Sequence, residues 1–233
     1  MSRQRLAMRS LGWFRLSRYG WTFWLPLLLA GLILTATLAG IWAPLGWACA
    51  LLTVAGLAFF RDPPRRVPPG PGAMLAPADG EIKEVSRVER DEIFGGPALR
   101  ISIFLSLLDV HVNRSPCNAT IGRMVYQPGE FFDARRTEAA VRNEANTIWL
   151  LPPAAPANVR PIAVVRQVAG AVARRIVAPL KPGQALQSGE PFGMIAFGSR
   201  TELLVPRPEV WQVLVRVGQH VQAGQTVLLR WRG

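Results

Sequence analysis

A run of 40 residues, 21–60, carries no charged side chain, and no Asp or Glu occurs anywhere in residues 1–60. Ahead of the run stand Arg3, Arg5, Arg9, Arg15 and Arg18, and behind it Arg61, Arg65 and Arg66. Five of the eight tryptophans (Trp13, Trp21, Trp24, Trp42, Trp47) lie in or beside it. Basic flanks, an uncharged apolar body and aromatic residues near its ends are marks of membrane insertion. One span takes about 20 residues, and a single helix of twice that length would reach about 60 Å, double the hydrocarbon thickness. Pro44, with Gly40 and Gly46 close by, can break the run. The first piece, 21–43, is then long enough to span; the second, 45–60, is short for a span and could be re-entrant. Positive charge at both outer ends and none at the turn predicts a helical hairpin with both ends in the cytoplasm. The competing reading is a secretory signal, but the apolar stretch exceeds the roughly 7–15 residues of a signal's apolar region.

Residues 61–72, RDPPRRVPPGPG, read as a stiff, non-helical linker whose arginines lie beside anionic headgroups. The net charge of +12 is therefore explained largely by the membrane. Aromatic residues interleaved with basic ones, the sign of a nucleic-acid-binding sheet, do not appear in the remainder, and no nucleic-acid partner is expected. Residues 73–233 read as strands: ALRISIFLSLLDVHVN alternates over much of its length, and PFGMIAF, TELLVP, VWQVLVRVG and QTVLLRW are short, apolar and separated by turn residues. A helix is hard to place there, with 138–146 (EAAVRNEAN) the best candidate. VRVGQHVQAGQTVLL has the Val/Gly spacing of lipoyl-like barrels, where glycines make the tight turns. The expected architecture is mainly β: a membrane hairpin (1–60), a Pro/Arg linker (61–72), and a β-rich domain (73–233) with a barrel-sandwich-like element. Cys49 and Cys117, outside any CxxC or Cys/His cluster, exclude a disulfide framework and make a structural zinc site unexpected.

Familiar chemical motifs are missing: there is no GxGxxG, Walker sequence, HExxH or GxSxG, and the two histidines, His111 and His220, exclude a His-rich metal centre. Three polar spots in apolar company remain. Asp79-Gly80 in APADGEI reads by itself as an ordinary hairpin turn. In LLDVHVNRSP a continuous strand would put Asp109, His111 and Asn113 on one face and Leu108, Val110 and Val112 on the other, towards the core. That polar face is either a site, with an Asp fixing the tautomer of a His, or a solvated exterior. Gly198-Ser199, where two apolar runs meet, is alone no more than a turn.

Taken in order, PADG, DVHVNR and FGSR behind an apolar N-terminal segment resemble phosphatidylserine decarboxylases, and most closely their short bacterial form. The resemblance covers nearly the whole chain. It implies a proenzyme that cuts itself between Gly198 and Ser199 into a large chain, 1–198, and a small chain, 199–233, which stay together as a heterodimer, with any further oligomerisation left open. It implies that Ser199 becomes a pyruvoyl group, with neither pyridoxal phosphate nor a metal, and that this group takes up phosphatidylserine as a Schiff base and releases phosphatidylethanolamine. It makes His111 the available base, oriented by Asp79 or Asp109. Longer members carry a second His where this chain has Arg114, so either His111 serves both self-cleavage and decarboxylation or another group acts in cleavage. Arg114 or Arg200 could contact the lipid phosphate, an ordinary surface arginine being the other reading of each. Asn143 and Glu144 lie in a further similar segment without an assignable role. The implied location is the bacterial inner membrane, with the catalytic domain facing the cytoplasm. Two other readings stand beside this one: a non-catalytic lipoyl-like membrane adaptor, and a pyruvoyl decarboxylase of a soluble amino acid.

Overall fold

A computed structural model describes residues 15–68, 70, 72–133, 142–156, 159–170, 175–196 and 199–232. The chain divides into two units, 1–64 and 65–233, the boundary falling inside the Pro/Arg linker. In the first unit, α1 (Trp21–Ile41) and α2 (Ala43–Ala58) flank Trp42, whose backbone is extended at φ −158° and ψ 117°. Pro44 falls in the first turn of α2, where its missing N–H costs nothing because that donor has no intrahelical acceptor. The break therefore sits where the sequence places it. Side chains at Gly31, Gly46 and Gly56 would run into Thr53, Ala39 and Leu27, so α2 lies back along α1 on a seam of small residues. The chain before α1 meets the chain after α2: Ser17 N donates to Phe60 O (2.7 Å), and Asp62 N to Arg15 O (2.7 Å). With 21 residues, α1 measures about 31 Å and is long enough to cross a bilayer. The 16 residues of α2 are short for that.

The second unit is β-rich. Its main sheet is antiparallel and holds β2 (Gly80–Asp91), β3 (Gly96–Leu105), β5 (Ala119–Gln127), β6 (Ala145–Leu151), β7 (Ala163–Val168), β9 (Ala185–Leu186), β11 (Ser199–Pro206) and β13 (His220–Val221). The strands stand in the order β13-β2-β3-β11-β7-β6-β5-β9, a half-barrel whose ends do not pair among the described residues. Two small sheets accompany it: β1 (Ala73–Leu75), β14 (Val227–Trp231) and β12 (Trp211–Val213); and β4 (Val112–Arg114), β10 (Pro191–Ile195) and β8 (Ile176–Val177). Ile101, Ile103 and Leu105 of β3 share the core with Leu203 and Val205 of β11, Val165 of β7 and Ile148 and Leu150 of β6. Because side chains alternate, Arg200, Glu202 and Leu204 project from the other face of β11. The Val/Gly segment behaves as its spacing suggests, Gly218 (φ 85°) and Gly224 (φ 70°) making left-handed turns around β13.

Three expectations need correction. The DVHVN stretch does not continue the preceding strand: β3 ends at Leu105, the chain turns over Ser106–Asp109, and pairing resumes at Val112. Asp109, His111 and Asn113 thus do not form one strand face, and Leu108 is 84% exposed rather than core. Asp79-Gly80 is no hairpin, because β1 pairs with β14 while Gly80 opens β2 opposite Val221. Glycine is required at 80 for another reason: φ is 141°, and a Cβ there would collide with the Phe104 carbonyl. Finally, the helix expected at 138–146 is present among the described residues only at Arg142 and gives way to β6, which begins at Ala145; residues 138–141 lie outside the described ones.

Candidate active site

Ser199 is the first residue of β11 and is fully buried. It pairs with Leu105, the last residue of β3, while β7 joins β11 one residue later, Val168 opposite Arg200. Its Oγ has no hydrogen-bond partner among the described residues. Gly198 lies outside the described residues.

His111 is also fully buried and sits just ahead of β4. Its Nδ1 lies 2.9 Å from the main-chain carbonyl of Asp109. That contact places the proton on Nδ1 and leaves Nε2 as the basic nitrogen of the neutral ring. The ring is thus oriented by Asp109, but through its backbone. The Asp109 carboxylate turns elsewhere: Oδ2 accepts from Ser106 N and Ser106 Oγ, both at 2.7 Å, and Oδ1 lies 3.0 Å from His220 Nε2. Asp79 is buried with Arg65 Nη2 2.6 Å from Oδ2 and Ala223 N donating to Oδ1 at 2.7 Å. Burial raises the Asp79 pKa, and the attraction of Arg65 and the Ala223 hydrogen bond offset only part of that rise.

Asn113 joins the three segments that the sequence singles out. Its Nδ2 donates to Pro77 O (3.2 Å) in the PADG segment and to Thr201 Oγ1 (3.1 Å), two residues after Ser199. Its Oδ1 accepts from Gln167 Nε2 (2.8 Å), and Gln167 Oε1 accepts from Asn146 Nδ2 (3.1 Å). Asn146, Gln167 and Thr201 are register partners across β6, β7 and β11, so they form one polar row beneath Asn113. All four are buried. Gln167 stands in no motif, a lone Gln in VVRQV carrying no sequence signal, and Asn146, though it closes the EAAVRNEAN segment, gains its partner only from strand register.

The two arginines considered for phosphate have other partners. Arg200 projects from the opposite sheet face, with Nη2 3.0 Å from Glu84 Oε2 and Nε 2.8 Å from Glu202 Oε1. Arg114 is buried, donates from Nη1 to Gly189 O (3.1 Å), and runs past Gly224, where a Cβ would press on its stem. Asn143 is an internal clamp: its amide donates to Phe132 O and Ala169 O and accepts from Phe132 N. Glu144 contributes main-chain bonds to Glu130 and Ala169. Burial pushes the Cys117 thiol up to about 12, so it is no competing nucleophile at neutral pH.

A buried serine thus opens a central strand of a β half-barrel, and a buried imidazole stands two residues ahead of Asn113, whose amide bonds to that strand at Thr201. A model of the phosphatidylserine decarboxylase family matches residues 53–229. Among curated proteins, the phosphatidylserine decarboxylase proenzyme of Paramagnetospirillum magneticum is 41% identical over 97% of this chain and 90% of its own length. Proenzymes of the same name from Nitrobacter winogradskyi (44% identity, 83% of this chain, 77% of its own) and Carboxydothermus hydrogenoformans (39%, 91% and 95%) are similar to it as well. The chain belongs to the phosphatidylserine decarboxylase family.

Proposed function

We infer that this protein decarboxylates phosphatidylserine to phosphatidylethanolamine with a pyruvoyl group made from its own Ser199. Membership of the family supports the activity, and the buried Ser199 Oγ at the head of β11, without a hydrogen-bond partner among the described residues, is the observation in this structure that fits the group. In self-processing, Ser199 Oγ attacks the Gly198 carbonyl carbon and the peptide bond becomes an ester. Elimination then frees the Gly198 carboxylate, and water converts the remaining dehydroalanine to the ketone and ammonia. His111, whose Nδ1 faces the Asp109 carbonyl and leaves Nε2 as the nitrogen able to accept a proton, is suited to take the Ser199 proton. Once formed, the ketone supplies a covalent anchor for the substrate amine and an electron sink for the pair left by departing CO2.

The chain's own residues hold that site together. Asp109 fixes the His111 ring through its carbonyl, whereas the Asp79 carboxylate is locked by Arg65 and Ala223. Arg200 and Arg114 act as positioning residues, their described bonds being internal. The small chain 199–233 would contribute β11, β12, β13 and β14, and three of these pair with β3, β7, β2 and β1 of the large chain. Scission of one bond leaves those ladders intact, which supports a stable heterodimer of the two pieces. The α1–α2 pair serves as the anchor. Its basic flanks favour a hairpin with the β domain on the cytoplasmic side of the inner membrane.

Intact-mass measurement tests this reading. The expected result is two chains, the smaller 35 residues long and beginning with a ketone in place of the Ser199 amine. A fully active protein of one uncut chain would overturn it.

A further inference from the structure

We propose that the Ser106–Asp109 turn is a bilayer-docking tip, with Leu107 and Leu108 entering the headgroup–acyl boundary of an anionic membrane and holding the mouth of the active site at the lipid surface. The proposal rests on the functional reading above, because it takes the substrate to be a membrane lipid.

Turns ordinarily carry polar residues, since their side chains face water. Here the two central residues are leucines, 55% and 84% exposed. The turn is held at both ends. Asp109 N donates to Ser106 O (3.0 Å), and the Asp109 carboxylate takes both the N–H and the hydroxyl of Ser106. The leucines are therefore displayed by a braced turn, which lowers the ordering cost of binding.

The position of the turn gives the display a use. Leu105, immediately before it, is the register partner of Ser199, so at most about 10 Å of chain separates Leu108 from the strand position facing Ser199. Three residues after Leu108 comes His111, fully buried. Two exposed apolar side chains thus stand in the short connection between the register partner of Ser199 and the buried His111. The Asp109–His220 contact ties the tip to the preceding turn, where Val217 is 59% exposed and Arg216 is exposed as well. Apolar residues with a neighbouring cation suit an anionic bilayer, whose interior accepts the leucines and whose headgroups attract the arginine. A headgroup could then reach Ser199 while its acyl chains stay in the bilayer.

The test uses full-length protein reconstituted in phosphatidylcholine vesicles and two substrates: long-chain phosphatidylserine in the same bilayer, and dihexanoyl phosphatidylserine added from water below its micelle concentration. Leu107→Ser/Leu108→Ser should lower turnover of the bilayer substrate at least about tenfold relative to the water-borne one, since it removes the apolar surface that enters the bilayer. Leu107→Met/Leu108→Met, which keeps the apolar character, should restore the wild-type ratio. Complete chain cutting on a denaturing gel would verify that the serine variant is folded. Equal loss on both substrates, which leaves the ratio unchanged, would overturn the docking tip. If wild-type protein decarboxylates neither substrate, the functional reading itself has failed.

Discussion

Asn113 Nδ2 lies 3.1 Å from Thr201 Oγ1, a side-chain bond that carries the small β4 sheet onto the strand headed by Ser199. Asn113 is two residues after His111 and Thr201 two after Ser199, so this bond ties the His111 segment to the Ser199 strand. After scission at Gly198, β11 would start at Ser199, and its first β7 partner would be Val168, opposite Arg200. The Asn113–Thr201 bond then pins the new chain end.

Thr201→Val keeps the volume and removes the acceptor, while Gln167→Met removes the donor that fixes the Asn113 amide. Each should slow chain cutting and reduce kcat about tenfold with KM little changed, equivalent to about 1.4 kcal/mol. In the double variant the losses should be less than additive, since both act through Asn113. Gel time courses and steady-state kinetics on one substrate measure this, and wild-type rates for Thr201→Val would remove Asn113 from the site.

Ser199→Ala should leave a single full-length chain that evolves no CO2 from phosphatidylserine. His111→Ala should lower activity by at least about a hundredfold, the scale of a lost general base. Asp109→Asn should do far less harm to His111 than that, because the ring is held by the Asp109 backbone carbonyl, which the substitution keeps. Equal losses for Asp109→Asn and His111→Ala would show that the carboxylate is what orients the ring.

Asp79 gives a pH prediction. Burial holds its pKa above the ordinary carboxylate value, so between that ordinary value and the raised one the folded protein binds more protons than the unfolded chain. Its contribution to stability therefore rises as pH falls through that window and is lost as pH rises through the folded pKa. Arg65→Met removes the main opposing charge and should push the Asp79 pKa further up. Melting temperatures measured from pH 8 to pH 5 should climb more steeply on acidification in the variant than in wild type.

His220→Ala should change stability by no more than about 0.5 kcal/mol, since the His220 side chain is 60% exposed and its contact with Asp109 is screened by water. The Ser106 bonds alone brace the turn in that variant, so chain cutting should go to completion. Denaturant midpoints and a gel are sufficient to check both.

The sequence alone could be read for whatever depends on local order. The uncharged run and its arginine flanks mark the apolar helices, and Pro44 marks the break between them, because burial preference and the missing proline N–H act through near neighbours. FGSR and DVHVNR single out Ser199 and His111 as candidates, because that signal lies in their immediate neighbours. Tertiary structure alone decided how these segments meet. It turned the chain at Ser106–Asp109, where a strand would have buried Leu108, and it moved the orienting contact of His111 from a carboxylate to a carbonyl. It also recruited Gln167 and Asn146, which acquire meaning only when β6, β7 and β11 lie in register. The physical reason is that hydrogen-bond register and burial are properties of strands brought together from distant parts of the chain, and no local pattern encodes which polar side chains will face one another inside.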